Sequence, residues 1–400
     1  MILIASLMGL YQLQSEKAKY DGRDLILNEA VEITHPIGRI NARKAVLQNF
    51  KMDKRSPFQK LILDGQVCVH AQTPNRDINL FADRAEGEVD AGSLFAFQSL
   101  RCLGSVEIAT SDGFNAKGGE ARYQALASKG GAIELIPSSL SQYCFLTHER
   151  DHLEARKVRF EMDTIQIICD EPKGEIDARW KKNTPIAFHA HRLKWQKDLT
   201  LEGDVSLTQS FSLHSDLIRL SFSNDGQGEL TEVMTEGPTH MAFQGKDSTL
   251  DCEGRLFLDP AVRQLMTAQP LHYHDERIRL EALSGRLTYD ETGNQLQPEA
   301  LYCEGSVRLI SSIIQNQESF ALAEQLVYFP ATRTIILSCR SPNRVLFWQS
   351  SGEMTLSAPE VQVRFDSKTK KETVRGIGDV HFRFTMQEEN TIETIFSKYL

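Results

Sequence analysis

The sequence predicts an all-β fold, an elongated twisted β-jellyroll of stacked hairpins in two open sheets, and three observations predict it. Apolar and polar residues alternate with period two from Leu25 to Phe384, and long stretches at helical spacing are nearly absent. An alternating strand carrying Gly-x-Val recurs along the chain: Leu63, Gly65, Val67 and Val69; Cys102, Gly104, Val106 and Ile108; Leu201, Gly203, Val205 and Leu207; Cys303, Gly305, Val307 and Leu309; Gly376, Gly378, Val380 and Phe382. A second phrase pairs a small residue with an aliphatic or small one three positions on, as Ala42 with Ala45, Ala82 with Ala85, Ala155 with Val158, and Ala358 with Val361. Self-similarity of this kind marks a repeat architecture, in which each unit buries its apolar face against its neighbours.

The elements follow in order. Residues 1–19 open with the apolar run Met1 to Tyr11, with no Lys or Arg before Lys17. The run is too short to span a bilayer and lacks a basic leader, but its length suits the apolar core of a signal. It reads as the trailing part of a signal or membrane anchor, or as an ordinary buried first strand. Gly65 and Gly104 stand 39 residues apart, and the other glycine gaps are near multiples of a similar unit, giving imperfect repeats of roughly 33 to 42 residues. A small residue suits a place where a sheet bends or two sheets converge. Turns such as Asp259-Pro260 and Asp290 to Asn294 join the strands, because Pro presets φ and Gly or Asn accepts a positive one. The polar stretch Ser223 to Gly228 is the best seam, dividing residues 20–225 from 226–384. In 385–400, Asn390 with Glu393 resembles a capping box and Ile392, Ile395, Phe396 and Tyr399 share a helical face, so this segment reads as a short amphipathic helix or a frayed tail.

Composition removes several classes of function. A net charge of -9 without a Lys/Arg cluster disfavours nucleic acid. The seven cysteines are scattered singly, with no zinc-site spacing; they read as buried small apolar residues or as partly disulfide-bonded. His189 with His191 and His272 with His274 each put two imidazoles on one strand face, a spacing metal sites use, but no third ligand is nominated. They read as surface or strand-lining histidines. His148, Asp151 and His152 cluster without a nucleophile and read as a solvated turn. No cofactor, metal or catalytic residue is expected, and the chain is not read as an enzyme.

The phrases Gly65 to Val67, Gly203 to Val205 and Gly376 to Val380, each with a small-x-x-aliphatic strand nearby, resemble the OstA-like family of periplasmic lipopolysaccharide-transport proteins, the family of LptA and LptC. Met354 to Asp366 followed by Gly376 to Phe382 is the nearest copy; Glu29 stands in place of the glycine in the first, and copies between Tyr143 and Trp195 are blurred. The resemblance implies two antiparallel sheets open along one side, an interior that carries the acyl chains of lipopolysaccharide or lipooligosaccharide toward the outer membrane, and edge-to-edge pairing with other OstA-like components. It also implies a periplasmic location, tethered to the inner membrane if the N-terminal segment is an anchor, and an inner-membrane ABC transporter as partner. The length of 400 residues suggests two such modules in tandem, 20–225 and 226–384.

Physical reasoning from the alternation reaches a compatible mechanism. Val67, Val69, Val106, Ile108, Val205, Leu207, Val307, Leu309, Val380 and Phe382 are the candidate lipid-lining residues, all on inward strand positions. At ~0.8 kcal/mol per buried CH₂, ten methylenes gain about 8 kcal/mol, against an association cost of ~4 to 15 kcal/mol. One tail binds marginally and several bind well, as suits a carrier that must release its cargo. The rivals are an envelope scaffold polymerising through sheet edges without lipid and, behind it, a metal-dependent β-sandwich enzyme using His189 and His191.

Overall fold

Every element of the computed structural model is a β-strand, and every strand pairing is antiparallel, among the described residues. The structure describes residues 2–5, 12–35, 38–51, 58–72, 77–89, 97–125, 131–138, 141–162, 164, 166–177, 185–223, 229–243, 247–292, 295–312, 318–350, 354–366, 369 and 371–384. The expected C-terminal helix in 385–400 lies outside them. Residues 2–5 form a strand paired with Gln12–Ser15. The chain divides into two compact units, Met1–Gly203 and Asp204–Leu400, so the polar stretch beginning at Ser223 belongs to the second.

Within the first unit the strands form two lanes, each a sheet. Strands Lys60–Gln72, Asp77–Val89, Phe97–Thr110 and Phe114–Ala125 run through both lanes, and each shows a register shift midway. Beyond them the lanes separate into short strands. Gly131–Ile136, Lys157–Glu161, Gln166–Asp170 and Arg192–Trp195 continue sheet A, while Cys144–His148, Asp151–Ala155, Lys173–Ile176 and Ile186–His189 continue sheet B. The chain therefore crosses from one sheet to the other along a single seam. Its hairpin turns lie at the opposite, free margins of the two sheets.

The recurring Gly-x-Val phrase is the seam. The ladder between Lys60–Gln72 and Asp77–Val89 jumps from Asp64 to Val67, leaving Gly65 and Gln66 as a bulge with φ of 79° and 52°. A bulge increases local twist and bends the strand, which redirects Val67 into the second sheet. Gly104 has φ of 101°, and a Cβ there would collide with the Asp83 carboxylate that accepts a hydrogen bond from the Ser105 N–H at 3.0 Å. Only glycine meets both demands without displacement. At the first copy the same bulge persists without glycine, since Glu29 and Ala30 adopt φ of 65° and 47°.

The small-x-x-aliphatic phrase supplies the inner lining beside the seam. Leu27, Ala45, Leu63, Ala85, Cys102 and Ala121 are successive cross-strand partners in sheet A, all buried. Large and small residues alternate along that row, so the opposing sheet can interdigitate with it. In sheet B the matching row runs through Leu80, Ile108, Ala116, Leu146 and Leu153.

The second unit repeats the plan. Leu230–Phe243, Gln295–Ser311 and Ser319–Phe329 run through both lanes. Phe257–Asp259, Gln264–Thr267, Thr334–Ser338 and Glu360–Asp366 extend its sheet A; Ser248–Cys252, Leu271–His274, Ile278–Ala282, Val345–Gln349, Met354–Ala358 and His381–Phe384 extend its sheet B. Here hydroxyls occupy part of the corner: Thr235 Oγ1 lies 2.7 Å from Thr239 Oγ1, which lies 3.2 Å from Ser215 Oγ, and Thr235 accepts the Leu256 N–H. These buried groups satisfy one another and nearby backbone, so their burial carries no large desolvation cost.

Candidate functional site

In each unit buried apolar residues fill the space between the sheets, and the two margins meet at the mouth opposite the seam. In the first unit Phe114 lies four residues from the Gly118-Gly119 seam on sheet B, and Trp195 lies four residues from His191 on sheet A. A flat sheet would place them about 25 Å apart along the strands at ~3.3 Å per residue. Their ring centroids are 5.1 Å apart with planes at 85°. The two sheets therefore face each other across the interior, and this edge-to-face contact closes the mouth. His148 stacks on Phe114 at 4.1 Å and stands edge-on to Trp195 at 5.4 Å. The Asp151 carboxylate, 3.7 Å from His148 Nδ1, holds the imidazole above its usual pKa against the opposing pull of burial.

The mouth of the second unit is closed by a polar contact. Tyr328, at the free end of a sheet A strand, donates its hydroxyl to Asp275 Oδ2 at 2.7 Å, and Asp275 follows the sheet B strand Leu271–His274. Asp275 Oδ1 accepts the N–H groups of Arg277 and Ile278 at 2.8 and 2.9 Å, which fixes the carboxylate in its turn. Tyr273 donates to Oδ2 at 3.4 Å, and its ring centroid lies 6.2 Å from that of Tyr328. Burial is the first cause, and the Asp275 charge the second, that raise both phenol pKa values, so each tyrosine remains a hydrogen-bond donor.

The predicted lining residues fall into three groups. Val67, Val106, Ile108, Val205, Leu207, Val307 and Leu309 are at most 2% exposed, packed between the sheets. Val69 pairs with Ile40 and Leu80 on the inward face and is half-buried. Val380 and Phe382 are exposed. Phe382 lies opposite the buried Leu356 and thus on the inward side, but His381–Phe384 pairs only with Met354–Ala358 among the described residues. The sequence period identified the inward side at that position but not the exposure of the strand there. The buried seven are closed to any ligand while the sheets are packed together.

The clasp residues themselves escaped sequence reasoning. They stand at hairpin tips, away from the Gly-x-Val phrase, and the two units use unrelated chemistry for the same task. His148 was expected in a solvated turn; the turn is present, with Glu149 at φ of 52°, yet the ring is packed against Phe114 and Trp195. His189, His191, His272 and His274 are exposed, and no group of three or more metal-ligating side chains occurs among the described residues. All seven cysteines are free thiols. Burial pushes those of Cys102, Cys144 and Cys303 up to about 12.

No protein-family model matches the chain, and no curated protein matches it. Among solved structures, the extracellular domain of the one-component system BT4673 from B. thetaiotaomicron is similar at a TM-score of 0.12 and 10% identity, covering 92% of this chain and 74% of that one. A likeness that low carries no argument about fold or function. No helix long and apolar enough to cross a membrane occurs among the described residues.

Proposed function

We propose that the protein binds lipopolysaccharide or lipooligosaccharide by its acyl chains between the paired sheets and passes it across the periplasm, acting as a carrier without enzymatic activity. The observation that supports this reading is the construction of each unit: two apolar sheet faces joined along one bulged seam and, among the described residues, meeting at the opposite mouth through a small clasp. Parting the mouth exposes continuous rows of Leu, Ile, Val and Ala. An entering acyl chain then replaces contacts between side chains with contacts to methylenes, so the apolar area stays covered. The location, an ABC transporter as energy source and pairing with other OstA-like components belong to the same proposal.

A photo-crosslinking residue at Val106 or Val307 tests it. Lipid adducts in cells of a two-membrane bacterium support the carrier; adducts to protein alone contradict it and favour the scaffold. One observation favours assembly through edges under either reading. The strand His381–Phe384 leaves Val380, Phe382 and Phe384 exposed beside an edge with no partner among the described residues, a surface suited to strand addition. Deleting 376–384 should weaken assembly more than lipid binding.

A further inference from the structure

We infer a saccharide-binding site on the outer face of sheet B in the second unit, independent of the interior and its cargo. The register brings two outward rows together there. One runs His274, Arg279, Ile310, Phe320, Trp348 and Thr355; the other runs His272, Glu281, Arg308, Leu322, Leu346 and Ser357. Each row passes from polar to apolar to polar. The apolar centre is uncovered, with Leu322 41% and Leu346 44% exposed.

The molecule supplies its own control. The corresponding outward positions of sheet B in the first unit place Phe81 between Cys68 and Glu107 and Phe145 between Lys117 and Glu154, with Lys117 bridging to Glu107 at 3.4 Å and Lys173 to Glu154 at 3.0 Å. Water-facing rungs of a sheet need nothing more than such pairs. Five contiguous apolar side chains at equivalent positions mark a surface made for contact.

Three features select the ligand. Phe320 and Trp348 stack with centroids 5.6 Å apart and planes at 19°, so each covers one face of the other and the pair stands as an aromatic wall with its outer faces and edges free. That wall borders a concavity of about 500 Å³, within the size range of small-ligand sites. The opposite side carries Arg279, Glu281 and Arg308; Glu318 pairs with Arg279 at 3.2 Å and Glu281 with Arg308 at 3.7 Å. These charges balance, so the site offers many donors and acceptors without attracting an anion. A neutral oligosaccharide matches each feature: the C–H face of a pyranose lies on the aromatic wall, and its hydroxyls bond the guanidinium and carboxylate groups. An anionic bilayer surface would need a cationic excess, which these paired charges do not supply.

Titration of the full chain with maltohexaose, cellohexaose and chitohexaose, followed by tryptophan emission and saturation-transfer NMR, tests the site. At least one should give a saturable response in the millimolar range. Trp348→Ala should abolish it, Arg308→Gln should weaken it about tenfold, equivalent to ~1.4 kcal/mol, and Arg101→Ala in the first unit should leave it unchanged. Arg308 and Glu281 are exposed, so the glutamine variant leaves the fold intact. Absence of a saturable response to all three sugars overturns the proposal, as does a response that survives Trp348→Ala. Concentration-dependent sedimentation abolished by Trp348→Ala would also overturn it, assigning the face to a protein contact.

Discussion

Trp195 meets Phe114 edge to face across the mouth of the first unit, with ring centroids 5.1 Å apart, although the two residues belong to different sheets. The seam on the other side is covalent and bulged, so among the described residues this contact and the His148 stack add to the packed interior in opposing separation of the margins. Trp195→Ala should therefore loosen the first unit out of proportion to its position at a margin. The expected loss is about 3 kcal/mol, the lower end for Trp to Ala. Amide exchange should accelerate in Phe114–Ala125 and Arg192–Trp195 while the second unit is unaffected. Uniform acceleration throughout the chain would contradict a local clasp.

The His148–Asp151 pair makes that clasp sensitive to pH. The folded pKa of His148 is raised above the ordinary 6.5, chiefly by its bond to Asp151. Its stabilising contribution is thus complete below about pH 6.5 and is lost as pH rises through the higher folded value. Stability of the first unit, measured by denaturation across pH 5 to 9, should fall over that window in the parent chain. Asp151→Asn should flatten the profile; an unchanged profile would remove His148 from the clasp.

Tyr328→Phe tests the second mouth. It deletes one hydrogen bond to a carboxylate, 2.7 Å long, and leaves the ring in place. A loss of about 1.5 to 3 kcal/mol is expected, accompanied by faster exchange near Asp275. Stability equal to the parent would mean that Tyr273 and the turn amides alone hold Asp275.

The seam predicts two substitutions of opposite sign. Gly104→Ala forces an L side chain into φ of 101° against the Asp83 carboxylate and should cost about 1 to 3 kcal/mol. Glu29→Gly relieves a positive φ at the cost of an exposed ion pair with Lys17. Exposed pairs contribute little, so thermal unfolding should show the variant as stable as the parent or more so. Destabilisation by Glu29→Gly comparable to that of Gly104→Ala would contradict the equivalence of the two bulges.

Much of this architecture was legible in the sequence because its defining feature is local. Gly65, Gly104, Gly203 and Gly305 announce a backbone geometry that few other residues adopt, and Ala45 and Ala85 announce close approach at the adjoining row. The blurred copies between Tyr143 and Trp195 are the places where long strands break into short ones at Arg156, Glu171 and His191, so no continuous strand remains to carry the phrase. The clasps were not legible. Trp195 and Phe114 are distant in sequence, and only closure of the two sheets brings them together. Tyr328 and Asp275 likewise carry no local signal, since each is an ordinary strand end or turn residue until the register is known.

Thiol chemistry provides a separate check on the packed interior. Cys102, Cys144, Cys169, Cys252 and Cys303 are buried, while Cys68 and Cys339 are half-buried. A thiol-specific reagent near pH 8 should modify Cys68 and Cys339 at most in the folded chain, and all seven cysteines after denaturation. Rapid labelling of Cys102 in the folded chain would show that the sheets stand open.

Neighbouring residues on one strand offer the most direct test of acyl-chain carriage. Ile108 faces the interior and Glu107 faces water, so a photo-crosslinker moved by one position changes side without changing location. Carriage between the sheets predicts lipopolysaccharide adducts from position 108 and few or none from 107. Equal adducts from both positions, or none from 108 in cells that export lipopolysaccharide, would contradict it.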